Sequence, residues 1–289
     1  MKFLDVKTDY AFKKVFGSEG SKDILLSFLN ASLRTEGNPI EDLVIVDPYQ
    51  IPLIQGMKDT YVDVKARLAD GSWVIVEMQV LNVEGFEKRV LLNAAKTYCA
   101  QLEKGGDYGL ALPVVALTLT DFEMFPGAAA VRSEFSMREL DRHQVYNDDL
   151  RLVFYELPKF AKAEGGLETI EDKWLYFIKN AGKLDYEPET LRAVPAISRA
   201  FDVANKAGLS PEDLEQQFKR VDFILLQRGA LMKAEKDGEA RGEARGEARG
   251  EAKAKAMFVR NMAGGGMAAE QIAVATKLPL DEVRRILKG

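Results

Sequence analysis

Apolar residues at the start of the chain recur with a helical period. In "TDYAFKKVFGSEGSKDILLSFLNASL" they fall at Phe12, Val15 and Phe16, then at Ile24, Leu25, Phe28, Leu29 and Leu33. That i, i+3, i+4 spacing predicts two amphipathic helices broken near Gly17–Gly20, with Thr8 and Ser21 as their caps. The period then changes to two. "EDLVIVDPYQIPLI" predicts a strand ending at Pro48, and "TYVDVKARLADGSWVIVEMQVLN" a β-hairpin about Asp70-Gly71. "EGFEKRVLLNAAKTYCAQLEKGGDY" reads as a long helix ending at the Gly105-Gly106 pair. "LALPVVALTLTDF" is almost continuously apolar, as expected of a strand buried on both faces. Shorter strands follow in "RSEFSMREL" and "DLRLVFYELPKF", and after "GGLET" the pattern is helical to about residue 236. The order α-β-β-β-α-β predicts an α/β (α+β) core with one mixed sheet and a helical C-terminal region.

The pattern fails in the tail, "GEARGEARGEARGEAKAKA", where Gly recurs at 238, 242, 246 and 250 and Glu at 239, 243, 247 and 251. A helix here carries interior glycines at roughly 1 kcal/mol each and stacks Glu on Glu at i, i+4. The expectation is a frayed helical or flexible spacer; the alternative is that the Gly and Ala stripes let two chains pack closely in a dimer. Beyond it, "MAAEQIAVATKLPLDEVRRIL" predicts two short helices about a turn, with Ile272, Ala273, Leu278, Val283, Ile286 and Leu287 facing inward and Asp281 near the second start. The arrangement resembles a helix-turn-helix, read as a docked or dimeric appendix ahead of a DNA reader. The domains expected are a core over 1–160, a helical region over 161–236, a repeat spacer over 237–256 and the appendix over 257–289.

Composition narrows the chemistry. The 289 residues include one cysteine, Cys99, and one histidine, His143, so an internal disulfide and the usual Cys/His zinc sites are excluded. Ser-His-Asp or Cys-His catalysis would rest on His143 alone, in "DRHQVY", which has no nucleophile motif around it. Any enzyme here should work with carboxylates, Lys, Arg and a hard metal ion. The charged N-terminus and the lack of a long apolar run place the chain in the cytoplasm with no membrane partner. A net charge of −5 is not the global signature of a nucleic-acid binder, although local basic patches can act beside an acidic remainder.

The hairpin holds the candidate chemistry. Asp63 interrupts "YVDVKARL", and Glu77 and Gln79 interrupt "WVIVEMQV". A two-residue Asp70-Gly71 loop would pair Asp63 with Met78 and put Glu77 on the opposite face. The alternation argues otherwise: Val62, Val64, Ala66 and Leu68 must share a face with Val74, Val76, Met78 and Val80. Only an odd-numbered loop achieves this, and Ala69-Asp70-Gly71, with Gly71 left-handed as a G1 bulge, is the natural choice. Asp63 then lies opposite Glu77, with Gln79, Lys65 and Ile75 on the same face. Facing carboxylates at a Cβ separation of roughly 4.5–5.5 Å repel unless something neutralises them. One reading is a solvated sheet face on which Lys65 and Arg67 pair the acids. The other is a hard-cation site of the kind Mg²⁺ takes, polarising a phosphoryl oxygen and activating water.

Asp63 followed by Glu77-x-Gln79 on the next strand of an α-β-β-β-α-β core resembles the PD-(D/E)xK nuclease superfamily, whose fold is restriction-endonuclease-like. The similarity is closer to its recombination-promoting nuclease (Rpn) and putative transposase branch. "KTDYAFKKVFG", the "DV" at 63–64, "VEMQV", "FEKR", "YCAQL", "PVVALTLTDF", "ELPKF" and the Gly/Glu/Arg repeat tail all look like landmarks of that family, over nearly the whole chain.

The resemblance implies a Mg²⁺-dependent DNA endonuclease, with Mn²⁺ as an alternative ion, acting as a homo-oligomer, most simply a dimer. By position it makes Asp63 and Glu77 metal ligands, with the Met78 backbone carbonyl as a third and Asp9 as a further contact from the first helix. Asp9 reads equally as an acid beside the helix dipole. Gln79 stands where the superfamily usually has Lys; its amide can orient water but brings no positive charge to the transition state. Lys65, Lys88 and Arg89 are the substitutes to test. Gln101 either reaches the site or only packs. Phosphate contacts would come from Lys7, Lys13, Lys14, Lys88, Arg89 and Lys96, a scatter suited to the DNA backbone rather than to base reading. The competing expectation is a catalytically weak or inactive nuclease-fold protein that binds DNA or assembles oligomers.

Overall fold

The computed structural model describes residues 2–35, 37–50, 60–102 and 105–288. Thr8 starts the first helix: its hydroxyl accepts the Ala11 N–H at 3.3 Å, and α1 (Asp9–Phe16) buries Ala11, Phe12, Val15 and Phe16 as the spacing predicts. Helix α2 (Lys22–Ser32) follows after a short 3₁₀ turn. Ser21 makes no capping bond there; its hydroxyl lies 2.6 Å from that of Ser18 instead.

The strands are β1 (Leu43–Val46), β2 (Tyr49–Gln50), β3 (Thr60–Tyr61), β4 (Val64–Leu68), β5 (Trp73–Gln79), β6 (Val114–Thr120), β7 (Arg132–Arg138) and β8 (Val145–Glu156). Six of them form one mixed sheet in the order β1-β4-β5-β6-β8-β7, with β5–β6 and β6–β8 parallel and the other pairs antiparallel. Strands β2 and β3 pair separately. The segment expected to end at Pro48 stops at Val46 and resumes as β2 after the proline; its last four residues, "IPLI", lie outside the described residues.

The hairpin register is the odd-loop one. Lys65 faces Ile75 and Arg67 faces Trp73, and the Leu68 N–H closes on the Ser72 carbonyl at 2.9 Å. Gly71 has φ +88°, a left-handed conformation that favours glycine, and a Cβ there would have to displace the terminal methyl of Leu112, 2.5 Å away. One expectation fails at the far end. The ladder stops at Val64, and Val62 packs with Ile75, Phe86 and Val90 rather than with Val64 and Ala66. The chain changes face at Asp63.

Both faces of the sheet are covered, giving three layers. Val64, Ala66, Val74, Val76, Leu117, Val153 and Tyr155 point into the larger core, with α1, α2, α4 (Ile170–Asn180) and α6 (Pro195–Ala204). There Phe12, Phe16, Phe28, Trp174, Phe177 and Phe201 are essentially fully buried, burial worth roughly 1.5–3 kcal/mol for a side chain of this size. Ile75, Ala116 and Phe154 face the other way, onto Phe86, Val90 and Ala94 of α3 (Phe86–Cys99). The second face, expected as a polar cluster, is therefore apolar along most of its length. Helix α3 ends at Cys99, short of the glycine pair, and the Gln101 amide then grips the Leu112 N–H at 2.9 Å and carbonyl at 2.8 Å. That places Gln101 as a tie to the start of β6, not in the site. "ELPKF" is structural too: fully buried Glu156 accepts the Met124 and Phe125 N–H groups and pairs with Lys159 at 2.6 Å.

A short helix, α5 (Glu189–Arg192), joins α4 to α6, and α7 (Pro211–Gly264) follows. Packing divides the chain into two compact units, Met1–Leu225 and Leu226–Gly289. In the second, α7 runs unbroken through the repeat, so residues 237–256 are helical rather than flexible. Helices α8 (Ala269–Thr276) and α9 (Leu280–Lys288) close on its end, where Val259, Ile272 and Val283 form a small core. Leu287 stays more than a third exposed and does not join it. Among the described residues no helix is long and apolar enough to cross a membrane.

Candidate active site

The site forms where β4 leaves the sheet. In β5, N–H and C=O groups of alternate residues point to opposite neighbours. The Trp73 N–H and Gln79 carbonyl serve the β6 side, whereas the Val76 carbonyl accepts the Asp63 N–H at 3.1 Å on the β4 side. Met78 therefore also presents its main chain toward β4, which has already turned away. Asp63 fills the gap: its carboxylate accepts the Met78 N–H at 2.8 Å. By the same alternation the Met78 carbonyl is directed to that side of the strand.

Glu77 and Gln79 follow by alternation onto the α3 side. Gly85, at φ +79°, turns the chain into α3 and carries Arg89 back over β5. One terminal nitrogen of Arg89 donates both to Glu77 and, at 2.8 Å, to the Gln79 amide oxygen. Gln79 in turn donates to the Leu81 carbonyl at 2.7 Å. The guanidinium rests 5.1 Å from the Phe86 ring centre. From the opposite layer, Lys13 of α1 brings its ammonium to 3.5 Å from Asp63. The acids thus lie between two helices, each supplying one cation.

Their electrostatics follow from burial. The side chains of Asp63 and Glu77 are 11% and 12% exposed. Loss of water pushes Glu77 up to about 7; Arg89 opposes the rise and the Asp63 charge adds to it. Burial also raises Asp63, against the Met78 N–H and Lys13 and with the Asp9 charge in support.

The expected residues separate into two groups. Asp63, Glu77, Gln79, Met78, Lys13 and Arg89 come together. Lys65 does not: its ammonium lies 5.1 Å from the Trp73 ring, with Arg67 on the same ring at 5.8 Å. Neither pairs the acids, which removes the solvated-face reading. Lys96 is corrected most firmly: it is 2% exposed and donates to the Thr60 hydroxyl at 3.2 Å, so it is no surface phosphate contact. Lys14 pairs with Asp213 and Lys7 with Asp121, both near 3 Å. Asp9 is held by Arg220 at 2.8 Å yet lies close enough for its charge to act on Asp63. Lys88 is exposed on the first turn of α3. His143 is exposed in the β7–β8 turn with φ +55°, far in sequence from every one of these groups.

Asn93 was not foreseen. It is fully buried one turn beyond Arg89, close enough to Glu77 to favour its ionised form, yet its amide makes no regular hydrogen bond among the described residues. The signal available was its place on the Phe86, Val90, Ala94, Thr97 stripe, a polar residue amid the buried face of α3.

Among the described residues no three His, Cys, Asp or Glu side chains gather to hold a metal. The oxygen donors are two carboxylates and a main-chain carbonyl, a hard set that suits Mg²⁺, which keeps waters and takes few protein ligands. No curated protein and no solved structure matches the chain. The sequence model for PD-(D/E)XK nuclease family transposases matches residues 6–233, spanning the sheet, α3 and the first half of α7. With Asp63 just ahead of β4, Glu77 on β5 and a six-stranded mixed sheet, the chain belongs to the PD-(D/E)XK nuclease transposase family.

Proposed function

We propose that the chain is a divalent-metal-dependent DNA endonuclease hydrolysing phosphodiester bonds, with Mg²⁺ as the ion and Mn²⁺ as the alternative. The observation that carries this reading is the placement of Asp63 and Glu77 about the Met78 main chain, where the β4–β5 ladder ends and Lys13 of α1 and Arg89 of α3 reach the acids. Asp63, Glu77 and the Met78 carbonyl would hold the ion, which when bound supplies a Lewis acid and a more acidic water.

The chain's own residues do the rest. Gln79 cannot replace the usual Lys in charge; it anchors Arg89 instead, and Arg89 brings the cation. One terminal nitrogen of Arg89 is engaged by Glu77 and Gln79, and the other is not engaged by any described residue. A planar guanidinium held in this way can pair with a phosphate oxygen as negative charge grows on it. Lys13 and Lys88 are then the backbone contacts nearest the acids, with Lys14 farther along α1. Dimerisation belongs to the same reading: Leu226 and Met232 of α7 are each more than half exposed, apolar side chains suited to a second copy.

A second reading, a nuclease-fold protein that binds DNA without cutting it, is favoured by one observation: Arg89 already neutralises Glu77 from within. Plasmid nicking with and without Mg²⁺, beside Asp63→Ala and Glu77→Ala, separates the two. Metal-dependent nicking lost in both variants supports the enzyme. Intact DNA binding with no nicking under Mg²⁺ or Mn²⁺ supports the second reading.

A further inference from the structure

Six buried side-chain nitrogen and oxygen atoms among the described residues lack a hydrogen-bond partner, and three of them belong to Arg89 (Nε) and Asn93 (both amide atoms). They lie within one turn of α3, beside Glu77. An unpaired buried polar group costs roughly 1–3 kcal/mol, and natural chains remove such groups unless they serve something. At Asn93 the apolar alternative is plain, since its neighbours on the same stripe are Val90, Ala94 and Phe86. The amide nevertheless lies within reach of the Glu77 carboxylate, whose one regular partner among the described residues is Arg89.

We infer that Asn93 is a positioning residue of the divalent-cation site. Its amide N–H is held in reserve for Glu77: when a cation takes the Glu77 oxygen that Arg89 now holds, Asn93 donates to the carboxylate and fixes its orientation. The released guanidinium stays tethered by Gln79. The exchange supplies an acceptor for the Asn93 Nδ2–H, one of the three orphaned atoms. This inference rests on the metal reading of Asp63 and Glu77 proposed above.

The test uses the full chain, with Mn²⁺ affinity measured by calorimetry and metal-free stability by urea denaturation. The proteins are wild type, Asp63→Asn, Asn93→Leu and Asn93→Asp. Groups that orient a metal ligand typically contribute 10–100-fold to affinity, so Asn93→Leu should weaken Mn²⁺ binding by roughly that factor. Its metal-free stability should be unchanged or higher, because an unpaired amide has been removed. Asn93→Asp should weaken binding as well, since an ionised carboxylate cannot donate to Glu77. Unchanged affinity in Asn93→Leu overturns the inference while leaving the metal site standing, and so does a loss of metal-free stability, which would make the amide structural. Tighter binding by Asn93→Asp overturns it too, by making residue 93 a direct ligand. Absence of binding in wild type, indistinguishable from Asp63→Asn, removes the metal reading and this inference together.

Discussion

Arg89 of α3 donates from a single terminal nitrogen to both Glu77 and Gln79 of β5. A cation that the family's usual pattern carries on the strand is thereby delivered from the following helix, and the amide at 79 is its anchor. The first consequence is kinetic. Arg89→Ala removes the charge nearest the acids, and loss of one preorganised transition-state donor typically costs about 10²–10³-fold in rate. Plasmid nicking should fall by that order. Divalent-cation affinity should not fall, because a competitor for Glu77 has gone. A variant that loses both equally would show Arg89 to be holding the site together rather than acting on the substrate.

Glu77 makes stability depend on pH. Its carboxyl titrates near 7 in the fold against 4.5 in the unfolded chain. Between those values the native state holds a proton that the unfolded state has lost, so stability falls as pH rises across the window. The full span is on the order of 3 kcal/mol. Urea denaturation of the metal-free protein should show this decline from pH 5 to pH 7.5, and Glu77→Gln should reduce it, Asp63 being raised as well. The cation needs the deprotonated form, so its affinity should climb about tenfold per pH unit below 7. Affinity independent of pH in that range would remove Glu77 from the ligand set.

Legibility in the sequence followed periodicity. Alternation in "YVDVKARL" and "WVIVEMQV", with Gly71 in the turn, was enough for the register, and that register brought Asp63 and Glu77 together. The departures come from local geometry that alternation does not encode. Val62 changes face because the ladder ends one residue after Asp63, and Asp63 turns to the Met78 N–H that the lost strand leaves open. Lys65 shares the face of Ile75, as expected, but its ammonium lies over the Trp73 ring rather than at the acids. Lys96 is written like any surface lysine on an amphipathic helix and is buried all the same. Nor do i, i+4 rules show that α7 continues through four glycines, since each lies open with nothing within 4 Å of a Cβ.

The two lysines of α3 should separate in a DNA-binding experiment. Lys88 is exposed next to Arg89, whereas Lys96 is buried against Thr60. Each phosphate contact contributes close to one unit to the salt dependence of binding. Lys88→Ala should lower the slope of log affinity against log salt by about one. Lys96→Met should leave the slope alone and change the urea midpoint instead. A reduced slope in Lys96→Met would mean that the helix opens on DNA.

The glycines at 238, 242, 246 and 250 decide between two uses of the repeat. All four are exposed in α7, where a methyl group would meet nothing within 4 Å. Glycine in an exposed helix costs roughly 0.8–1.0 kcal/mol relative to alanine. If the segment is only a helical spacer, replacing all four by Ala should raise amide-exchange protection across 238–250, and the oligomeric state should stay as it was. If a second copy packs against the small-residue stripe, four methyl groups would hold the two helices apart. Sedimentation should then show a weaker dimer even though the helix itself is firmer. If wild type and the fourfold variant both sediment as dimers, with protection raised in the variant, the small-residue stripe is not the surface through which copies meet. Replacing Leu226 and Met232 by Lys would then be expected to yield monomers.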